Sequence, residues 1–85
     1  MMIEYDSEVL ATYVWLGDEQ PSAGTVEIRP AEIMVDVDEG GAPIGIELLM
    51  RPSSVTSTML NEIEVRFPGL RELLAEALAG IGYRE

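Results

Sequence analysis

Between Glu32 and Met50 the chain alternates. Ile33, Val35 and Val37 are interleaved with Met34, Asp36 and Asp38, and Ile44, Ile46, Leu48 and Met50 resume the same period beyond a turn segment. In extended backbone successive side chains point to opposite faces, so all seven aliphatic residues fall on one side. The segment between them holds Gly40, Gly41 and Pro43, which suit a four-residue hairpin loop. Placing Val37 opposite Ile44 also sets Val35 against Ile46 and Ile33 against Leu48. A slip of one residue would turn every apolar side chain to the wrong face. The chain is thus committed to an antiparallel hairpin. Its outer face carries Asp36 across from Gly45 and Glu47 across from Met34.

The rest of the first half reads as more of the same sheet. Met2–Tyr5 is a short strand, and Asp6-Ser7-Glu8 forms its turn through side chains that bond to nearby amides. Residues 10–16 are apolar on both faces: Leu10, Thr12, Val14 and Leu16 point one way, and Ala11, Tyr13 and Trp15 the other. Such a strand is expected to be central and covered on both sides. Gly17–Gly24 is a polar loop. Thr25–Arg29 alternates with Val26 and Ile28 inward, and stops at Pro30.

The second half changes period. Ser53 or Ser54 caps a helix over Thr56–Arg66, with Val55, Met59, Leu60, Ile63 and Phe67 on its apolar side. Glu62–Phe67 also alternates like a strand, but the spacing of Met59, Leu60 and Ile63 favours helix. Pro68–Ala79 is a second helix. Leu70, Leu73, Leu74, Ala77, Leu78 and Ile81 make one stripe along it, and Gly80 and Gly82 close it. The expected fold is α+β: one domain over residues 1–85, with an antiparallel sheet of about five strands in residues 1–50. Two helices over residues 53–82 pack on one face. Helices on one face leave the other, with Ala11, Tyr13 and Trp15, without cover.

Composition narrows the chemistry. The chain has no His, Cys or Lys. The commonest general base, thiolate nucleophiles, Schiff-base chemistry and the usual zinc or iron–sulfur ligands are therefore excluded. No cofactor is expected, and any metal would be a hard cation held by oxygen. Net charge is −11. Residues 1–47 hold eleven acids against Arg29 alone (1 − 11 = −10), and residues 48–85 hold five acids against four arginines (4 − 5 = −1). Direct nucleic-acid binding, which needs a basic stripe, is not expected, whereas a basic protein partner could be steered by such a field. No apolar run approaches the ~18 residues that span a bilayer, and the acidic start lacks a signal peptide's basic region. A cytoplasmic protein with no membrane contact is expected.

Three groups of residues could carry function. Asp36, Asp38, Gly41 and Glu47 match four positions of an EF-hand loop. The fifth position is Gly40 and both flanks are strands, so Asp36, Asp38 and Glu47 suggest at most weak Ca²⁺ or Mg²⁺ binding. Asp6, Glu8, Asp36 and Glu47 could pair as acid–base carboxylates, but so short a chain has little room for a substrate cleft, and no enzyme is expected. Tyr13 and Trp15, with Ala11, form an aromatic patch of the kind enriched at interfaces. A homodimer or larger assembly burying that face is the leading expectation. A small core favours it, because a chain of this length buries only about 60–65% of its unfolded surface.

One resemblance covers residues 2–50. Glu4-Tyr5-Asp6-Ser7-Glu8 followed by Ala11-Thr12-Tyr13-Val14-Trp15-Leu16 forms its first block. The second is Val35-Asp36-Val37-Asp38, Gly40 and Ile44-Gly45-Ile46-Glu47-Leu48-Leu49. These blocks resemble the small prokaryotic proteins classed as domain of unknown function 2283. Members often carry an acid where Leu10 stands here and an aliphatic residue at Thr12. The resemblance implies a small β-rich fold with no established activity. Some members are encoded beside toxin-like small proteins, which implies an antitoxin-like binding role; the −10 charge of residues 1–47 would suit a basic protein partner.

Overall fold

A computed structural model describes residues 2–18 and 20–80. Five strands come first: β1 (Met2–Asp6), β2 (Ala11–Trp15), β3 (Gly24–Arg29), β4 (Ile33–Val37) and β5 (Pro43–Leu48). A 3₁₀ turn (Pro52–Ser54) leads to α1 (Ser57–Arg66) and α2 (Leu70–Ala79). The strands form one antiparallel sheet in the order β1-β2-β5-β4-β3. The α+β architecture follows the sequence pattern.

The 32–50 hairpin pairs Ile33 with Leu48 and Val35 with Ile46, as the alternation demands. At the loop end the register shifts. Val37 lies opposite Pro43 rather than Ile44, and the five residues Asp38–Ala42 close the turn. Asp38 explains the shift: its Oδ1 accepts the Gly40 and Ala42 amides at 2.9 and 3.0 Å, and its own amide donates to the Ala42 carbonyl. Gly41 supplies the positive φ of 85° that the turn requires. The two-faced strand is β2, which lies second from an edge, while β5 takes the centre. Its ends are also shorter than the apolar run, because Leu10 takes a left-handed φ of 51° in the β1–β2 turn.

Both helices cover one face. Val14, Ile33, Val35, Ile46 and Leu48 from the sheet meet Val55, Leu60, Ile63, Leu70, Leu74, Ala77 and Leu78 in a single core. Each fully buried Leu or Ile contributes about 1.5–3 kcal/mol. Thr12 is the buried polar residue among them, and its hydroxyl donates to the Met50 carbonyl at 2.9 Å. That bond joins β2 to the end of β5 where no further strand ladder reaches.

Three sequence expectations need correction. Thr56, not Ser53 or Ser54, caps α1: its Oγ1 accepts the Met59 amide, while the serines lie in the 3₁₀ turn. The second helix starts at Leu70 rather than Pro68, because Gly69 adopts a φ of 92° to reverse the chain. Glu64 then reaches across from α1 and accepts the Gly69 and Arg71 amides at 2.7 and 2.9 Å. These bonds hold its carboxyl below the usual range. Leu73 is 45% exposed and sits off the buried stripe, since α2 touches the sheet along Leu70, Leu74, Ala77 and Leu78. Ile81 and Gly82 lie outside the described residues. The alternating stretch Glu62–Phe67 is helical through Arg66.

Candidate functional site

The outer face of the sheet has no layer over it among the described residues. Alternation places Met2, Glu4 and Asp6 of β1 on it, beside Ala11, Tyr13 and Trp15 of β2. Gly45 and Glu47 of β5 come next, then Met34 and Asp36 of β4, and Thr25 and Glu27 of β3. This face therefore carries the carboxylates of Glu4, Asp6, Glu27, Asp36 and Glu47 with no arginine among them. Arg29, at the end of β3, turns to the helical side and pairs with Glu62 of α1. Arg66 and Arg71 belong to the helices, and Arg71 bonds Asn61.

The centre of the face is built around Tyr13. Its hydroxyl crosses over Gly45 and donates to Asp36 Oδ2 at 2.6 Å, while Asp36 Oδ1 accepts the Thr25 hydroxyl at 2.9 Å. Gly45 makes the crossing possible: a Cβ there would stand 2.6 Å from Tyr13 Cζ. Burial of the phenol, together with the adjacent Asp36 carboxylate, pushes its pKa well up, so it stays a donor across the neutral range. Trp15 leans on it with ring centroids 4.5 Å apart and planes tilted by 53°. The indole N–H donates to Glu4 Oε1 at 3.0 Å. The aromatic pair is thus held at one end by a carboxylate of the adjacent β1 and at the other by one of β4, across β5.

Next to Tyr13 the small side chain of Ala11 leaves a depression of about 230 Å³. It is bordered by Glu4, Asp6, Val9, Tyr13 and Glu47, with Tyr5 and Thr12 completing the wall. Drug-sized ligands occupy pockets of roughly 300–1,000 Å³. The hollow is thus smaller than a drug-sized pocket and large enough for a side chain.

The suggested cation ligands are not gathered. Asp36 spends both oxygens on Tyr13 and Thr25, Asp38 closes the turn, and Glu47 faces the Ala11 hollow. Among the described residues no group of three acids is placed to hold a metal ion. Of the acid–base candidates, Asp6 and Glu47 border the same hollow, whereas Asp36 is engaged beyond Gly45. Asp6 Oδ1 accepts the Glu8 amide in the β1–β2 turn at 2.9 Å, as expected of that turn. The structure does bring Ala11, Tyr13 and Trp15 onto one face. Sequence reasoning missed the Tyr13–Asp36 bond and the role of Gly45: the hairpin register set Gly45 opposite Asp36, but nothing in it placed β2 beside β5.

These features define a small α+β module with one helix-covered sheet face and one acidic–aromatic face. The family model described as protein of unknown function (DUF2283) matches residues 2–50, and the chain belongs to that family. The match spans all five strands and ends before the helices. No curated protein and no solved structure matches the chain. No helix among the described residues is long and apolar enough to cross a membrane.

Proposed function

We propose that the chain is a non-enzymatic interaction module whose outer sheet face receives a basic protein partner. The observation that carries this reading is the segregation of charge around the Tyr13–Trp15 pair. Carboxylates from β1, β4 and β5 lie around the rings with Glu27 of β3 further along the same face, while Arg29, Arg66 and Arg71 lie on the helical side and Arg51 follows β5 outside the strand. Two copies packed face to face would set carboxylate against carboxylate, which disfavours self-association through this surface. A basic surface would instead be attracted from a distance and could stack on the half-buried rings.

Differential capture tests it. A basic protein should be retained by the wild-type chain, lost with the double substitution Glu4→Arg and Glu47→Arg, and released steeply as salt rises. Recovery of the same proteins by both chains would refute the assignment. A homo-oligomer is the second reading, favoured by β1, whose outer edge pairs with no strand among the described residues and whose side chains are largely exposed. Native mass spectrometry at micromolar concentration decides that point.

A further inference from the structure

The hollow over Ala11 has a shape and charge that select one chemical group. Its floor is a methyl, one wall is the Tyr13 ring, and Val9 supplies an apolar rim. Tyr13 cannot easily swing into the space, because Asp36 holds its hydroxyl and Trp15 supports the ring. Glu4 and Asp6 border the hollow from β1, and Glu47 borders it from β5 on the opposite side. These three acids do not converge closely enough to hold a metal ion. A planar cation with donors along both edges suits carboxylates that border it from opposite sides better than a compact ammonium does.

We propose that the hollow over Ala11 is a docking pocket for an arginine side chain of a basic protein partner. The methylene stem lies over Ala11 and Val9, and the guanidinium lies against the Tyr13 ring between Glu47 and the Glu4–Asp6 pair. The Tyr13 wall is already positioned in the free protein, so little ordering opposes binding. This inference rests on the interaction-module reading and adds the identity of the recognised group.

The test uses the full chain, uniformly ¹⁵N-labelled, titrated at low salt with two short capped peptides that differ only in arginine or lysine. The arginine peptide should bind roughly fivefold or more tightly. Its shifts should centre on the amides of Ala11, Tyr13 and Glu47. Ala11→Leu, which fills the hollow while leaving every charge in place, should abolish the preference. Equal binding of both peptides, insensitive to Ala11→Leu, would overturn the pocket and leave the broader acidic-face reading standing. No binding of either peptide would overturn both. Shifts of the same amides on simple concentration of the protein would show a second copy in the hollow, and would also overturn the assignment.

Discussion

Gly45→Ala is the perturbation that most directly examines how the outer face is built. A Cβ at this position would stand 2.6 Å from Tyr13 Cζ and 2.7 Å from Cε1, too close for any unshifted arrangement. The sheet backbone is held by pairing on both sides, so the tyrosine must move. It then forfeits a hydrogen bond to a charged acceptor, worth about 1.5–3 kcal/mol, and part of a ring contact worth about 0.5–1.5 kcal/mol. The site is partly exposed, so water recovers some of this, while replacing a strand glycine returns about 0.5–1 kcal/mol. A net loss of about 1–2 kcal/mol follows, a fall of roughly 4–16 °C in Tm for a domain of this size.

The decisive form is a double-mutant cycle. In a Tyr13→Ala background nothing remains for the new methyl to displace, and Gly45→Ala should be neutral or stabilising by up to ~1 kcal/mol. The coupling energy should therefore be about 2 kcal/mol. Urea unfolding followed by circular dichroism supplies the four stabilities. Trp15, the single tryptophan, reports the local change by fluorescence. Additivity within about 0.5 kcal/mol would show that the two residues do not constrain each other, and the account of the face would fail.

Other outcomes follow from the same geometry. Because burial and Asp36 raise the Tyr13 pKa, the folded state holds that proton more tightly than the unfolded chain. The resulting stability is complete below about pH 10 and is lost as pH rises through the folded value; Tyr13→Phe should flatten this alkaline decline in Tm. Glu64 is the opposite case: its pKa is lowered by the Gly69 and Arg71 amides. Its contribution is present above about pH 4.3 and lost as pH falls through the folded value, so Glu64→Gln should be less acid-sensitive than wild type. Thr12→Val leaves the partly buried Met50 carbonyl without its donor and should cost about 1 kcal/mol or more in urea unfolding. Ala31 holds a φ of 62° in the turn closed by the Glu32 amide on the Arg29 carbonyl, so Ala31→Gly should raise Tm, by about 1 kcal/mol of stability. Millimolar Ca²⁺ or Mg²⁺ should leave Tm unchanged, since Asp36 and Asp38 are already committed elsewhere; a rise would restore the cation reading.

Much of this molecule is written in local pattern. The period-two run on either side of the acidic turn was enough to pair Ile33 with Leu48 and Val35 with Ile46, because only that register buries every aliphatic residue. The stripe that begins at Leu70 likewise sufficed for α2, although Leu73 within it lies exposed and only Leu70, Leu74, Ala77 and Leu78 are buried. The alternation of residues 11–15 was enough to put Ala11, Tyr13 and Trp15 on one side of a strand. What local pattern could not supply was the partner of each polar group. The chain's many acids are equivalent in sequence, and which one meets a given donor depends on strands that are neighbours only in space. Asp36 lies 23 residues from Tyr13 in the chain, and the two meet because β5 runs between β2 and β4 with its glycine beneath the tyrosine ring. Glu64 caps a helix to which it does not belong, and Asp38 Oδ1 is taken up by the Gly40 and Ala42 amides. Hydrophobic periodicity is a property of one segment and survives in the sequence. The pairing of charges and hydroxyls is a property of strand order, and tertiary structure alone decided it.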